Sequence, residues 1–408
     1  MNESIAKNIP SSTKSLLFPI LLVMYEIATY LSNDMYLPAL PEMMRDLQLT
    51  IQHAQLTLTT WFLGAASLPL LIGAISDRYG RRPVLIVGGV IYIAATILCA
   101  VVTHINLLLI ARFIEGGMVA TMMVAGYAAI HELYETKEAI RILALMGGIS
   151  VLAPALGPLL GAIVLYFTNW QGIFWIIAIW ASLIILLLYY WMPETLPVEK
   201  QQPVILKLLA KKYVRILTNK DFMLRIFILG FIFCGFLSWV TASPLLIIES
   251  FHHKAIVYGL MQALVFGAYI LGTGGVKYLL NIFEPKWLIR IGLIIMLGGS
   301  ALMLYGAIYF PLGLYGFLVA MVIYSFGSGI CFSSLNRSII ESSTEPMGVR
   351  VALFSVFVTS FSALGSVFSS LFFDGTILSL AWIITLPCFV ACIFKIVLLM
   401  LNYRATPE

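Results

Sequence analysis

Long apolar runs, separated by short polar segments, repeat along almost the whole chain. The apolar residues follow one another without the strict alternation of barrel strands, and about 20 apolar residues in a helix cross a lipid bilayer. The pattern therefore predicts an all-α membrane protein with twelve transmembrane helices. Their predicted ranges are 15–37, 54–76, 83–103, 106–130, 140–165, 170–192, 222–247, 257–280, 287–309, 312–336, 347–371 and 377–401.

A polar segment between the sixth and seventh predicted helices divides the chain into two equal groups. The predicted domains are therefore a first half (1–192), a cytoplasmic linker (193–221) and a second half (222–408). The linker contains KLLAKKYVRILTNK, which is basic and predicts a short amphipathic helix at the membrane surface. Two halves in parallel repeat are typical of transporters whose substrate site lies at the midplane between them.

The composition agrees with a lipid environment. Of the 408 residues 61% are hydrophobic and 11% are charged, against about a quarter charged in ordinary soluble domains. Among the 24 Lys and Arg residues, Arg45 and Lys254 fall on one side of the membrane, Arg112 lies within a helix, and the rest fall on the other side. Basic loops are retained in the cytoplasm. Both termini are therefore predicted to be cytoplasmic, and the basic residues indicate orientation rather than nucleic-acid binding.

The five cysteines all lie inside apolar runs. Their odd number and irregular spacing predict packing residues rather than disulfides or a metal site. The sequence also has no Walker-type glycine–lysine loop, so no nucleotide or other cofactor is expected.

The first predicted helix carries two carboxylates in its interior, within YEIATYLSNDMYLPALP. Glu26 and Asp34 are eight residues apart, about 12 Å along the axis and on much the same helix face. Loss of water disfavours a charged carboxylate, so such a group can hold a proton near neutral pH. The pair is predicted to bind protons. The alternative is a structural pair satisfied by Thr29, Ser32 and Asn33.

The fourth predicted helix contains a second group of embedded charges. Arg112 lies more than a turn deep, where an arginine costs about 2.5–3.5 kcal/mol on translocon-based scales. It must therefore face a wet cavity or pair with a carboxylate. Glu115 at i+3 lies on the same helix face. Either Glu115 pairs with Arg112, or it is a third protonatable group.

The first half contains two further motifs. GAISDRYGRRP joins the second and third helices, where its glycines permit a short turn and Asp77 is predicted to accept hydrogen bonds from a neighbouring helix N-terminus. GGISVLAPALGPLLGA lies in the fifth helix, where Pro154 and Pro158 predict a kink. Gly157 and Gly161 would allow a neighbouring helix to pack closely.

These motifs, together with NDMYLPALP and PETLP (193–197), resemble the drug/proton antiporters of the Bcr/CmlA group in the major facilitator superfamily. The resemblance covers essentially the whole chain. It implies that the turn motif gates the transporter, and that the glycine–proline motif is the one associated with exporters in that family. The family usually has Arg-x-x-Gln-Gly where this chain has Arg112 to Gly116, with Glu115 in place of glutamine. The gating residues so implied are Gly73, Asp77, Arg78, Gly80, Arg81 and Arg82.

The expected function is export of lipophilic neutral or cationic compounds across the inner membrane, in exchange for protons, by a monomer without enzymatic activity. Glu26, Asp34, Arg112 and Glu115 are the predicted proton-coupling residues. Export of one specific metabolite, such as a siderophore or sugar, and a non-transporting receptor or scaffold are the alternatives. Motif position and helix face select the predicted substrate-binding residues, which are Tyr30, Asn33, Asp34, Tyr127, Met146, Phe236, Trp239 and Phe361.

Overall fold

The computed structural model of the chain describes residues 17–197, 199, 201, 206–309, 313–345 and 347–405. All regular structure in these residues is helical. The first group comprises α1 (Leu17–Asp34), α2 (Leu40–Asp46), α3 (Ile51–Ser67), α4 (Pro69–Tyr79), α5 (Arg81–Val101), α6 (Ile105–Thr121), α7 (Tyr127–Leu133), α8 (Thr136–Phe167) and α9 (Trp170–Trp191). The remainder are α10 (Leu206–Leu217), α11 (Lys220–Pro244), α12 (Ala255–Leu279), α13 (Pro285–Tyr309), α14 (Leu314–Glu341), α15 (Met347–Phe372) and α16 (Ile377–Ala405).

Within the described residues, nine helices are long and apolar enough to cross a membrane, and two bent helix pairs raise the number to eleven. These eleven coincide with eleven of the twelve predicted spans. The remaining predicted span is α1, whose last three residues are Ser32, Asn33 and Asp34. Polar residues therefore make α1 the least lipid-like of the twelve. Helix α10 confirms the short helix predicted in the linker.

Two spans are bent, and both bends lie close to a proline. The predicted helix 54–76 is in fact two helices, α3 and α4, which meet at 44° just before Pro69. Helix α8 bends by 41° between Ile149 and Val151, one turn before Pro154. A proline inside a helix cannot donate to the carbonyl four residues earlier and its ring crowds that carbonyl. The kink predicted for this helix is therefore present.

Helix α1 packs so closely on α8 that glycine is required at the contact. A Cβ atom at Gly161 would overlap the backbone carbonyl of Met35, and one at Gly157 would lie 2.5 Å from the Cβ atom of Asp34. Between helices in lipid, van der Waals packing and small residues replace the hydrophobic effect as the source of association. The glycine–proline motif thus forms the surface against which the end of α1 is placed.

We refer to residues 17–191 as the first half and 220–405 as the second half. The loops that precede α5, α8, α10, α11, α13 and α15 define the basic end of the bundle, and the loops that precede α3, α6, α9, α12, α14 and α16 define the opposite end. The division into domains 1–192, 193–221 and 222–408 stays a prediction, as does the cytoplasmic placement of the termini, whose residues 1–16 and 406–408 lie outside the described residues.

The two halves meet at the opposite end. Arg45 Nη1 of α2 lies 2.9 Å from Glu249 Oε2 of the π-helical segment Leu245–Ser250. Deeper in the bundle, the hydroxyl groups of Thr59 in α3 and Ser366 in α15 are 2.7 Å apart. Gly259 of α12 lies against the backbone at Leu159 of α8. These contacts close the opposite end.

We expect Gly161→Ala to destabilise the protein by about 1–3 kcal/mol, the range for forcing a group into packed structure. The added methyl group must displace the backbone at Met35, and a backbone atom cannot rotate away. Gly148→Ala is the matched control on the same helix, because a Cβ atom there meets nothing within 4 Å. Melting temperatures of the two purified variants in detergent measure the difference. Equal melting temperatures would contradict the required close approach.

Candidate proton and substrate site

The two carboxylates of α1 are buried and neither forms an ion pair in the part of the chain that the structure describes. Glu26 is 0% exposed and Asp34 is 5% exposed. Glu26 Oε1 accepts a hydrogen bond of 2.7 Å from the Tyr127 hydroxyl. Glu26 Oε2 is buried and has no hydrogen-bond partner among the residues that the structure describes. An ionised carboxylate with one unsatisfied oxygen is costly away from water, so this arrangement suits a protonated Glu26.

The polar neighbours on α1 do not neutralise these carboxylates. The hydroxyls of Thr29 and Ser32 donate to the backbone carbonyls of Glu26 and Thr29, at 2.8 Å and 2.9 Å. Asn33 alone reaches a carboxylate, with Nδ2 donating to Asp34 Oδ1 across a long 3.4 Å. Thr29 and Ser32 therefore do not support the alternative of a structural pair, and Asn33 supports it only for Asp34.

Arg112 and Glu115 form a buried ion pair on α6. Arg112 Nη1 lies 2.5 Å from Glu115 Oε2, and both side chains are 0% exposed. The second carboxylate oxygen, Oε1, accepts a hydrogen bond of 3.0 Å from the Thr96 hydroxyl on α5. Of the two possibilities that the sequence left open, pairing is therefore the one observed. Each member of the pair also has a further hydrogen-bond partner in the first half, although Arg112 Nε is buried without one in the part of the chain that the structure describes.

Asn33 links this ion pair to Asp34. Its Oδ1 accepts from Arg112 Nη2 at 2.8 Å while its Nδ2 faces Asp34. The guanidinium also lies 5.0 Å from the ring centroid of Tyr36, a favourable cation–π distance. The side-chain amide of Asn33 is thus the group that lies between the Asp34 carboxylate and the Arg112 guanidinium. Asn33 was predicted as a substrate contact, and its geometry adds a role between two charged groups.

The other predicted substrate residues of the first half lie around α1. Tyr30 is partly exposed and close enough to interact electrostatically with both Glu26 and Asp34. Tyr127 of α7 contacts Glu26 directly. Met146 of α8 is fully buried in the apolar core. Tyr30 and Tyr127 therefore join the carboxylate group, whereas Met146 lies within the packing around it.

The predicted substrate residues of the second half fall into two environments. Phe361 packs on Phe231, with ring centroids 5.0 Å apart, and remains partly exposed. Phe236 packs on Phe266, also at 5.0 Å. Trp239 is fully buried, and its Nε1 donates to Gln262 Oε1 at 2.8 Å. Phe236 and Trp239 therefore lie together where α11 packs on α12, whereas Phe361 packs on Phe231 and alone retains a partly accessible ring.

Tyr258 was not singled out from the sequence, although it brings the second half close to Asp34. It lies in the first turn of α12, fully buried, and its hydroxyl meets no hydrogen-bond geometry with any of the described residues. It is near enough to Asp34 for electrostatic interaction. A tyrosine in an apolar run has no sequence signal that separates it from packing aromatics. Gln262, one turn further along α12, is the only amide in that helix and was the available signal.

The turn motif at the basic end forms a charge cluster. Gly80 has φ +98°, a backbone conformation that favours glycine. Arg81 Nη1 lies 2.6 Å from Asp77 and its Nη2 lies 3.0 Å from Glu132. The guanidinium of Arg81 is therefore the centre that holds α4, α5 and α7 together.

Asp77 was predicted to accept hydrogen bonds from a neighbouring helix N-terminus, but at the N-terminus of α5 it accepts none in the described part of the chain. Glu194 of the PETLP segment takes that place, with its two oxygens accepting from the backbone N–H groups of Arg81 (2.9 Å) and Arg82 (3.2 Å). Asp77 precedes the turn, and its carboxylate is drawn instead to the Arg81 side chain. Glu194 is distant in sequence, so spacing alone did not reveal it. Its carboxylate also suits the positive end of the α5 dipole.

The remaining gating residues have smaller parts. Arg82 Nη2 donates to the carbonyl of Tyr189 at 2.6 Å. Arg78 stacks over the ring of Tyr79 at 5.2 Å from its centroid. Gly73 makes no close approach, since a Cβ atom there would meet Val124 at an ordinary 3.8 Å. A gating role for the cluster stays a prediction.

The comparisons with known proteins agree with this architecture. The sequence pattern of the Major Facilitator Superfamily matches residues 22–370. The multidrug transporter MdfA of Edwardsiella ictaluri is 33% identical over 349 residues, 85% of each chain. The chloramphenicol resistance protein CraA of Acinetobacter baumannii is 31% identical over 351 residues, 86% of this chain and 84% of that protein. The crystal structure of a POT family transporter with a bound peptide conjugate is similar with a TM-score of 0.73 at 15% identity, covering 95% and 96% of the two chains.

The chain therefore belongs to the Major Facilitator Superfamily. It is a multi-pass membrane transporter and not an enzyme, and the fold predicted from the sequence is confirmed. The predicted resemblance to the drug/proton antiporters of this superfamily is confirmed by its similarity to MdfA and CraA.

Proposed function

We propose that this protein exports lipophilic drugs, neutral or cationic, across the inner membrane in exchange for protons. The names of its relatives, a multidrug transporter and a chloramphenicol resistance protein, support drugs as the substrate class. In this proposal the basic end faces the cytoplasm and the protein works as a monomer with lipid around it.

One observation carries the proton part of the proposal. Glu26 and Asp34 are buried carboxylates outside any ion pair of the described chain, while the neighbouring Arg112 is satisfied by Glu115. Because Tyr127 donates to Glu26 Oε1, the proton of a neutral Glu26 belongs on the unpartnered Oε2. Embedded carboxylates of this kind mark proton pathways in transporters.

Drug and proton compete for these carboxylates in the proposed cycle. A cationic drug replaces the proton by charge, and a neutral drug displaces it by altering access to water. Linkage requires that each ligand weaken the binding of the other by the same factor. Asn33 transmits the charge state of Asp34 to Arg112, and Arg112 and Glu115 set the local field without changing their own charges.

Alternating access follows from the way in which the halves meet. The contacts Arg45–Glu249 and Thr59–Ser366 close the opposite end, which in the proposed orientation faces outward. A drug would then enter from the basic end, between the carboxylates of α1 and aromatic side chains such as Phe361. Rocking the halves would break the outer contacts and release the drug outside.

The proton gradient is sufficient for such export. Inward movement of one proton yields about 2.3 kcal/mol per 100 mV of membrane potential. Each pH unit adds about 1.4 kcal/mol. Together they support a several-hundredfold gradient of a neutral drug in a one-proton exchange.

The test uses the purified wild-type chain in liposomes. We expect an imposed proton gradient to drive uptake of chloramphenicol and of tetraphenylphosphonium, a neutral and a cationic probe, and each drug pulse to move protons the other way. Liposomes with a collapsed gradient are the control. Movement of neither probe, with or without the gradient, would contradict drug export and favour a single specific metabolite. Drug uptake that is indifferent to the gradient would contradict proton coupling.

A further inference from the structure

A group of cations at the basic end of the second half has no part in the cycle above. Helices α11, α13, α14 and α16 surround a cavity of about 320 Å³ there. Its charged lining consists of Arg225, Lys286, Arg290 and Lys395. This volume corresponds to about ten water molecules at about 30 Å³ each, which is enough for a phosphate group with a glycerol attached.

The carboxylates near this cavity balance only part of its charge. Asp221 lies 2.9 Å from Arg225, and Glu284 lies 2.5 Å from Lys286. In the described part of the chain, Arg290 and Lys395 form no ion pair. The Nε atom of Arg290 is also buried without a hydrogen-bond partner. Four cations thus face two carboxylates, and the uncompensated pair lies on facing helices, α13 and α16.

Two partly buried cations that repel each other need an anion. Lys395 lies within a membrane-spanning helix and interacts electrostatically with both Arg225 and Arg290. Keeping like charges together at that depth is unfavourable unless a counter-charge is present. Ser338 adds a hydroxyl, which accepts from Arg225 and retains its own proton to donate. A cavity lined by guanidinium, ammonium and hydroxyl donors is suited to binding the oxygen atoms of a phosphate group.

The surroundings of the cavity place it at the depth of lipid headgroups. Trp287, beside the cavity on α13, is 47% exposed, and the Arg290 guanidinium lies 4.7 Å from its ring centroid. Exposed tryptophans mark the membrane–water interface. Leu398 and Ile289 form a buried apolar lining, and Leu399 is exposed at the rim. An amphiphile fits this combination better than a free ion does.

We propose that this cavity binds the phosphate of an anionic phospholipid headgroup, with Arg290 and Lys395 as the main donors. The acyl chains would lie along the lipid-facing surfaces of α13 and α16. Basic pockets between helices on the cytoplasmic side of a membrane are suited to such headgroups. Free inorganic phosphate has the same chemistry without the chains, so the experiment must separate the two.

The experiment measures lipid binding to the detergent-purified full-length chain by native mass spectrometry. Phosphatidylglycerol, phosphatidylcholine and inorganic phosphate are titrated separately. We expect phosphatidylglycerol to bind at least tenfold more tightly than phosphatidylcholine, and inorganic phosphate to bind weakly. In the variant Arg290→Met/Lys395→Met, phosphatidylglycerol affinity should fall at least tenfold. Lys277→Met removes a basic residue from the same end outside the cavity, and it should leave the affinity unchanged.

Lys395→Arg keeps the charge and should retain binding, whereas Lys395→Met alone should weaken it. These single variants keep the test decisive if the double variant fails to fold. Equal phosphatidylglycerol affinity in wild type and in the Met variants would overturn the site. Inorganic phosphate that binds as tightly as phosphatidylglycerol would overturn a lipid as its source.

Discussion

Replacing Asp34 with asparagine is expected to abolish proton release on drug binding, and Glu26→Gln is expected to reduce it strongly. Each amide keeps the shape of the side chain but cannot lose a proton. Both side chains are buried and unpaired with any cation in the described chain, so each carboxyl group is available to hold a proton before the drug arrives. The measurement is the pH change of an unbuffered detergent solution of pure protein after addition of drug, with drug binding followed separately.

Asp374→Asn is the matched control for this prediction. Asp374 lies in the loop between α15 and α16, where hydrogen bonds from Ser379 and Thr376 hold its pKa below the usual range. A carboxylate with a lowered pKa is already ionised near neutral pH and contributes no proton. Its amide variant should therefore release as many protons as the wild type. If both Asp34→Asn and Glu26→Gln release as many protons as the wild type, Glu26 and Asp34 are not the proton-binding residues.

The second large effect is expected from Arg112→Met. Removing one partner of a buried ion pair typically costs about 3–5 kcal/mol, because the other charge is left uncompensated. Glu115 would keep only its hydrogen bond from Thr96, and the carbonyl of Ser32 and the amide of Asn33 would lose their donor. We expect a marked fall in melting temperature and in the yield of folded protein.

The double variant Arg112→Met/Glu115→Gln shows whether Arg112→Met loses stability because Glu115 is left without a charge partner or because the packing around Arg112 is lost. It contains no uncompensated charge, so most of the lost stability should return, and Glu115→Gln alone should be destabilised because Arg112 is then left unpaired. A double-mutant cycle over the four proteins gives the coupling energy directly. Additive effects with no recovery in the double variant would contradict a functional ion pair between these residues.

The helices were predictable because the bilayer demands them. Within lipid, every backbone group must be hydrogen-bonded inside its own segment, so a long apolar run has few alternatives to a helix. The break at Pro69 was missed because apolar residues continue through it, and hydropathy does not register a change in direction. The end of α1 at Asp34 was placed three residues too late, since Met35, Tyr36 and Leu37 remain apolar while the chain passes into a 3₁₀ turn at Leu37–Ala39.

The candidate site was predictable only where its partners are neighbours in sequence. The spacing of Arg112 and Glu115 on one helix face indicated that they can pair, and they do. Glu194 was missed as the partner of the α5 N-terminus because it lies more than a hundred residues further along the chain. The contact of the Asn33 amide with Arg112 depends on how α1 packs across α6. Helical periodicity in the sequence shows which residues share a helix face, but it does not show which two helices pack together.

The closure at the opposite end is held by few polar contacts. Arg45 and Glu249 are 61% and 34% exposed in their side chains, and an exposed ion pair of this kind is worth about 0–1 kcal/mol. The Thr59–Ser366 hydrogen bond adds about 0.5–1.5 kcal/mol. Apolar faces gain little over lipid when they meet. In the proposed cycle, the free energy needed to break these polar contacts and open the opposite end is therefore comparable to the free energy released by one translocated proton.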